Sequence, residues 1–492
     1  MKTDRAIVIG GGIAGLLAAK VLSNFYTEVV VVDRDHFSEE PDSRSGTPQA
    51  FQPHRLTPRC SLILNRLFPG LMDELIKKGA YSTRGKTTHL LSPYGKITSV
   101  EHSHNASFSR ALLEWGIRQY IRNIQNVRLL GLNEVIHLHA SEDRSQVTGI
   151  IVRERISGER KQFRMTADLI VDTSGQFSKT VHWLSELGYE VPQPERLKIS
   201  LGYSTRRYRI PDGRKEELDV IRLEGDPLKN THAAAFSIIE NDIAEMVLWN
   251  LNGQYPSNDP ALFEQDIRHL GCPLLNEVLE GLEPIGLPRG FRVSELSRQH
   301  FEQMQQWPSG LLVMGDAFCQ LDPVYGQGMT LAAMESEILE TSLQQQLSHP
   351  QPSFEINVHQ QMQGCIEVAW WLNAVSDLRW KGVEYVGIKP IQGLQFAQNY
   401  LEHVLQVSTE QANYEVFGLY WLVNSLFLSP SELFNAGMVT ALLAAGGSGE
   451  AKQWLDHWMK ESDQPLEERL KLLLPSFKRA TFATIDQLMP SS

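Results

Sequence analysis

Near the start of the chain, Gly10-Gly11-Gly12-Ile13-Ala14-Gly15 sets glycines at Gly10, Gly12 and Gly15 in the order Gly-x-Gly-x-x-Gly. The first permits a tight turn, the second lets the backbone approach a pyrophosphate, and the third lets a helix pack closely on a strand. A loop of this kind opening a helix offers N–H donors and the positive end of the helix dipole. Asp33 stands 18 positions after Gly15 (33 − 15 = 18), placed to accept from the hydroxyls of an adenosine ribose. An acidic residue there argues against a 2′-phosphate and leaves FAD or NAD.

A second segment separates the two. Leu311-Leu312-Val313-Met314-Gly315-Asp316-Ala317 ends an apolar run on Gly-Asp, and Asp322-Pro323-Val324-Tyr325-Gly326-Gln327-Gly328-Met329 runs into a helical pattern. The Asp316 carboxylate suits a ribityl hydroxyl. Backbone N–H groups at Gly328 and Met329 suit the N1–C2=O edge of an isoalloxazine, where negative charge sits in reduced flavin. Motifs 300 residues apart (315 − 15 = 300) are what an extended dinucleotide needs, so FAD is expected, held non-covalently.

The elements that must position these residues are legible around them. Ala6 to Ile9, Leu16 to Leu22 and Glu28 to Asp33 read as strand, helix and strand, a complete β-α-β unit. Helical pattern follows from Thr57 to Gly79 and from Ser109 to Asn123. Strands are expected over Val127 to Leu130, Glu134 to His139, Val147 to Ile156 and Phe163 to Asp172, with Ser157-Gly158 turning one hairpin, which makes an inserted β-meander. Long alternating runs from Leu197 to Val293, including Ala233 to Ile239 and Ala244 to Leu251, predict an antiparallel sheet. From Ser353 the pattern is helical, with Trp370, Trp371, Trp380, Tyr420 and Trp421 more in keeping with core than with a substrate wall. The expected fold is thus α/β: a Rossmann-type FAD-binding domain with an inserted β-meander, an antiparallel-sheet substrate domain and a helical C-terminal region. Its boundaries are 1–196 and 296–348 for the two parts of the FAD-binding domain, 197–295 for the substrate domain and 349–492 for the helical region.

At 492 residues a single core is not expected, and 46 basic against 58 acidic residues give a net charge of −12, which argues against a nucleic-acid surface. Cys60, Cys272, Cys319 and Cys365 form no Cys-x-x-Cys pair, and the N-terminus leads directly into a strand, so a reducing, cytoplasmic setting is expected. No stretch reaches the roughly 18 apolar residues of a membrane span; Val416 to Leu428 is read as a buried helix. His102 with His104, and His137 with His139, have same-face strand spacing but no third ligand nearby, so surface or structural roles are expected and no metal site. Gly446-Gly447-Ser448-Gly449 follows no strand and reads as a linker between helices.

Taken with Ala167-Asp168-Leu169-Ile170-Val171-Asp172-Thr173-Ser174-Gly175, the two motifs resemble class A FAD-dependent monooxygenases of the para-hydroxybenzoate hydroxylase fold. Arg44-Ser45-Gly46-Thr47-Pro48-Gln49 with His54, Leu67-Phe68-Pro69-Gly70-Leu71, Ser109-Arg110-Ala111-Leu112-Leu113-Glu114 and Leu201-Gly202-Tyr203-Ser204-Thr205-Arg206 are similar to bacterial epoxidases of polyether biosynthesis, akin to squalene epoxidase. The resemblance spans about Ala6 to Gln345. It implies that Arg110 contacts the FAD pyrophosphate and that residues around Gln49 lie near the flavin. The cofactor-binding set is then Gly10, Gly12, Ile13, Ala14, Gly15, Asp33, Arg34, Gln49, Arg110, Val135, Gly315, Asp316, Pro323, Gly326, Gly328 and Met329.

It implies, further, that one atom of O2 passes through a flavin C4a-hydroperoxide to a small apolar molecule, as epoxidation or hydroxylation in secondary metabolism. Electrons would come from NAD(P)H or from reduced flavin supplied by a separate reductase. Epoxidation needs no protein base, so no catalytic residue is named. The substrate cavity is expected between the flavin loop and the Leu197 to Val293 sheet, closed by the C-terminal helices and mostly apolar. One departure stands out: hydroxylases read Asp-Gly with a downstream arginine where this chain has Asp172-Thr173-Ser174-Gly175 with Lys179, a variant shared with reductases and halogenases. The halogenase segment Trp-x-Trp-x-Ile-Pro is missing. The rival readings are a reductase of polyprenyl-type substrates, a halogenase and a non-catalytic flavin sensor.

Overall fold

A computed structural model describes residues 3–102, 104–155, 161–477 and 481–488. β1 (Thr3–Ile9), α1 (Ile13–Leu22) and β2 (Tyr26–Val32) form the first unit. The apolar runs Ala6 to Ile9 and Val29 to Val32 are buried, as strands covered on both faces of a parallel sheet must be. That sheet has five strands in the order Leu311–Val313, Leu169–Asp172, β1, β2 and Val127–Leu130, each pair parallel. Ile9 lies opposite both Asp172 and Val32, and Asp172 lies opposite Val313, so four strands end along one edge. Ligands of open parallel sheets bind at such an edge.

α1 is apolar almost all round, and Leu16, Leu17, Ala18, Ala19, Val21 and Leu22 are fully buried. It packs against β1 and the helices Arg110–Arg122 and Gly328–Ser348. Close approach is possible because Gly15 has no side chain: a Cβ there would lie 1.9 Å from the Gly10 carbonyl oxygen and 2.7 Å from Thr173 Oγ1. Thr173 in turn donates to the carbonyls of Ile9 (2.8 Å) and Gly10 (3.0 Å), which locks the loop to the end of the neighbouring strand.

The helix expected over 57–79 is two helices, Pro58–Leu67 and Leu71–Lys77, because Pro69 and the left-handed Gly70 (φ +81°) interrupt it. Arg110–Arg122 begins on Ser109, whose hydroxyl accepts from the Leu112 N–H. The meander is the antiparallel sheet Asn133–Ala140, Val147–Glu154 and Gln162–Thr166. The strand expected from Phe163 to Asp172 divides at Ala167-Asp168, its first part joining the meander and Leu169–Asp172 joining the parallel sheet. The turn expected at Ser157-Gly158 lies outside the described residues.

The larger sheet runs Glu283–Arg298, Glu195–Arg209, Ile243–Asn250, Ala233–Ile239, Val220–Leu223, Thr87–Ser92 and Gly95–Val100, with Glu384–Val386 also pairing on Glu195–Arg209. Its hairpin Thr87 to Val100 escapes a sequence reading. Leu90 and Leu91 are adjacent rather than alternating, and every residue of Thr87–Ser92 is only half-buried. In the helical region Trp370, Trp371 and Trp380 are core. The buried helix expected from Val416 to Leu428 is instead Tyr414–Asn424, in which Val423 alone is buried and Phe417, Tyr420, Trp421 and Leu422 are half-buried; Leu426, Phe427 and Leu428 follow as a buried loop. Gly446 to Gly449 joins the helices Ala436–Ala444 and Glu450–Lys460. Among the described residues, no helix is long and apolar enough to cross a membrane.

The fit at Gly15 is backbone against backbone, so even one methyl group forces α1 away from β1. Gly15→Ala is expected to destabilise the protein by about 1–3 kcal/mol, read as a lower urea midpoint. A midpoint equal to that of the unaltered chain would show that the Gly10 carbonyl moves aside freely.

Candidate cofactor and substrate site

A cavity of about 340 Å³ opens where the parallel strands end. It is bordered by Gly10, Gly12, Ile13, Ala14, Asp33, Arg34, Gln49, Arg110, Val135, Gly315, Asp316, Pro323, Gly326, Gly328 and Met329. Of the expected cofactor residues only Gly15 does not border it, since Gly15 packs behind the loop. Two helix N-termini face this space. α1 starts at Gly12 and Gly328–Ser348 at Gln327, neither with a side-chain cap nor an acidic residue in the first turn, so their free N–H groups and positive dipole ends remain available to an anion. A Cβ at Gly12 would meet nothing closer than Arg44 at 3.9 Å, which leaves the approach to the loop open.

Several polar groups along the wall have no protein partner. Gln49 Oε1 is buried and unsatisfied. Asp316 is surrounded by protein, which raises its pKa although Arg110 works against the rise, yet its carboxylate is exposed to the cavity. An acceptor in that position, an opposing guanidinium and two bare helix ends match the hydroxyls, pyrophosphate and ring edge of FAD.

Part of this wall belongs to an ionic cluster whose pairing sequence reasoning did not assign. Arg44 donates to Glu114 (2.6 Å) and Asp33 (3.0 Å) and reaches Asp35 (3.4 Å). Glu114 also approaches Arg110 (3.6 Å) and Arg118 (3.5 Å). Burial works against the Arg44 charge, but Glu114 and Asp33 outweigh it and raise its pKa. Asp33 accepts from the backbone of Gly11 (2.6 Å) and Asp35 (2.8 Å), so it fixes the glycine loop in addition to facing the cavity. Asp35 holds Ser45 (2.9 Å) and the Gly46 N–H (2.7 Å), which brings the Arg44 to Gln49 segment against the loop. The i,i+4 spacings Arg110–Glu114 and Glu114–Arg118 are the local signal of the cluster in sequence.

Away from the loop the cavity is bordered by Tyr203, Phe291, Val293 and Leu321, with Gln52, His54 and Arg55. The His54 Nδ1 lies 2.7 Å from the Gln52 carbonyl, which can only accept, so Nδ1 carries the proton. Burial, reinforced by Arg110, pushes His54 down to about 4, and the ring is neutral near pH 7. The expected apolar lining holds for Tyr203, Phe291, Val293 and Leu321 and departs from expectation at Arg55. The histidine pairs take other partners. His104 lies beyond the strand Gly95–Val100 and pairs with Asp73 (2.9 Å). His137 meets Glu186 (3.5 Å), and His139 meets Thr148 (2.9 Å). Lys179 and Arg153 share Glu134.

No family model matches the chain. It is 28% identical over 390 residues to Protein Rv3254 of Mycobacterium tuberculosis, across 76% of this chain and 80% of that protein. Among solved structures it is similar to the flavin-dependent brominase Bmp2, with TM-score 0.59 and 13% identity over 93% of this chain and 98% of the other. It is likewise similar to pqsL of Pseudomonas aeruginosa, described as a probable FAD-dependent monooxygenase, with TM-score 0.54 and 16% identity over 84% and 99%. The chain has the fold of these flavoenzymes.

The Gly315 turn generates a pH prediction. Its N–H donates to Glu335 Oε2 (2.6 Å), and burial pushes that carboxyl from 4.5 up to about 8, the Gly315 bond opposing and Asp316 adding to the rise. Between those two values the folded chain holds a proton that the unfolded chain has lost, so stability falls as pH rises through the window. Glu335→Gln keeps an acceptor for Gly315 and is expected to flatten this decline, making the variant relatively more stable above pH 8. Urea midpoints from about pH 5 to about pH 9 check it. Parallel profiles for the two proteins would mean that Glu335 is not the titrating group. Arg44→Met is expected to cost about 3–5 kcal/mol by stranding Asp33, Asp35 and Glu114 without their cation, and a denaturation midpoint within error of the parent would contradict it.

Proposed function

We propose that the chain is a FAD-dependent monooxygenase that places one oxygen atom from O2 on a small organic substrate with an apolar body. The observation that carries this reading is the single cavity shared by the glycine loop, Asp316 and the Pro323 to Met329 turn, which continues to Tyr203, Phe291 and Val293. Bound FAD would take electrons from NAD(P)H, or arrive reduced from a partner reductase, and activate O2.

The residues of the chain have distinct tasks in this reading. Gly10, Gly12, Ile13 and Ala14 offer backbone donors to the pyrophosphate, with Arg110 supplying positive charge. Asp33 and Arg34 take the adenosine end, and Val135 packs beside it. Asp316 accepts from the ribityl chain. The N–H groups of Gly328 and Met329 hold the negative edge of reduced flavin, where fixed donors act without reorganisation. Gln49, Pro323 and Gly326 border the ring, and the walls at Tyr203, Phe291, Val293 and Leu321 exclude water from the reacting atoms. The division of the chain at 196, 295 and 348 belongs to the same proposal, as does epoxidation of an alkene as the form the oxygen transfer takes.

The fold shared with Bmp2 makes halogenation the second reading, against which stands the missing Trp-x-Trp-x-Ile-Pro segment. Purified protein is expected to bind FAD, and Asp316→Ala to weaken that binding about tenfold to a hundredfold, the value of a charged acceptor at about 1.5–3 kcal/mol. Turnover should consume O2 and give product carrying one atom from 18O2. A saturated product formed without oxygen would replace oxygenation by reduction, bromide-dependent product by halogenation, and failure to bind FAD would end all three readings.

A further inference from the structure

The turn over Asp322 to Gly328 is tied to the C-terminal helices by buried polar side chains. Asp322 donates its backbone N–H to Asn373 Oδ1 (2.8 Å), Asn373 Nδ2 donates to Gln327 Oε1 (2.5 Å), and Gln327 Nε2 donates to the Asn424 carbonyl (2.7 Å). Tyr325 donates its hydroxyl to Asp377 Oδ1 (2.7 Å). Asp322, Asn373 and Asp377 are fully buried, and the last two lie one turn apart on the helix Phe354–Asp377. Because the turn borders the cavity through Pro323, Gly326, Gly328 and Met329, this network ends at the cavity wall.

Within it, the carboxyl groups of Asp322 and Asp377 are hydrogen-bonded to each other. Asp322 Oδ1 accepts from the Val324 N–H (2.8 Å) and Asp377 Oδ1 from Tyr325, but neither Oδ2 meets a donor. Two carboxyls bonded to each other without an outside donor need a proton between them. The surrounding groups do not supply the charge to do otherwise. Arg222, on the facing sheet, is the cation that acts on Asp322, yet it already pairs with Glu224 (2.6 Å). Beyond Arg222 stands Arg55, exposed and with Glu101 as its counter-charge. Tyr203 comes from the sheet with its hydroxyl buried and unpartnered, and Tyr325 has Ser376 beside it. Tyr420, from Tyr414–Asn424, faces Glu224, Arg222 and Arg379, the last of which pairs with Glu402 (2.6 Å). Ionising both aspartates would set them and Glu224 together against Arg222, which is costly away from water.

We propose that Asp322 and Asp377 form a proton site linked to the charge of a flavin at this turn, sharing one proton while the flavin is oxidised and taking a second from solvent when it is reduced. The proposal rests on the FAD reading above and adds a redox-linked proton to it. Two electrons from NAD(P)H or a partner reductase, with one proton, give the anionic reduced flavin. The second proton goes to the carboxyl pair, so reduction takes up two protons for two electrons, and reoxidation releases the one held by the pair. The link is Coulombic: negative charge at the Gly328 and Met329 N–H groups, one end of the turn, favours the neutral form of the carboxyls at its other end, and the low-dielectric surroundings carry that field well. Burial pushes Asp322 up to about 7 and Asp377 higher, which puts uptake of the second proton near neutral pH.

The test is a potentiometric titration of FAD-loaded protein from about pH 6.5 to about pH 8.5, after FAD binding has been measured by flavin fluorescence. For two electrons, one proton moves the midpoint potential by about 30 mV per pH unit and two protons by about 60 mV. The parent is expected to follow the steeper line above about pH 7, and the double variant Asp322→Asn with Asp377→Asn the shallower one. Infrared spectra of reduced minus oxidised protein are expected to show a protonated carboxyl gained in the parent and absent from the double variant. Glu335→Gln, which removes the other raised acid near this turn, is expected to keep the steep line. A one-proton line in the parent across the whole range overturns the proposal whether or not the variants fold. It is overturned equally by a steep line in the double variant, or by loss of the steep line in Glu335→Gln. Protein that binds no FAD ends the flavin reading itself, an outcome seen before the potential is measured.

Discussion

The contact between Gly15 and the Gly10 carbonyl, with Thr173 bonded to the same turn, governs the rest of the site. It brings the start of α1 directly onto the ends of β1 and the strand Leu169–Asp172, and so fixes where the free N–H groups of Gly12, Ile13 and Ala14 point. The same approach lets α1 pack on the helix Gly328–Ser348, whose own N-terminus then faces the other end of the cavity. A side chain at Gly15 would disturb both helix ends that face the cavity, although Gly15 itself does not border it.

Charge is distributed in two ways around the cavity. On the glycine-loop side, Arg44, Arg110 and Arg118 meet Asp33, Asp35 and Glu114 within 3.6 Å. Three cations against three anions make a charge-balanced support, hydrogen-bonded through Arg44, that orients the loop. At the other part of the cavity Arg55 is exposed and lies over the Trp421 ring at 4.8 Å. The balanced cluster holds a geometry, and Arg55 stands apart from it on the same cavity wall.

What the sequence made legible were features whose physics is local. A glycine needed for a turn or a close approach leaves its mark at its own position, and Gly10, with a φ of +98°, was readable for that reason. Gly15 was readable too, as a packing residue rather than a contact. The Arg44 cluster was not, because its partners lie 11, 9 and 70 positions away and nothing in Arg44-Ser45-Gly46 names them. The hairpin Thr87 to Val100 was hidden by half-burial, since a strand with intermediate exposure on both faces has no alternation to display. Trp421 was read as core for its type alone, while its contact with Arg55 joins residues more than three hundred positions apart.

The buried acids next to the turn over Asp322 to Gly328 show how the fold limits negative charge at that end of the cavity. Asp322 and Asp377 lie side by side without access to water, and burial raises both, so the pair retains a proton. Tyr325 donates to Asp377 (2.7 Å), and Asp322 accepts from the Val324 N–H (2.8 Å), and these hydrogen bonds shape the turn. Glu335, raised to about 8, does the same beneath Gly315. Ionised, these carboxyls would oppose the dipole of the helix Gly328–Ser348 at the place where a reduced flavin would put its negative edge. With the aspartate pair sharing a proton and Glu335 raised, they brace the turn while setting less negative charge against the helix N-terminus than three ionised carboxylates would.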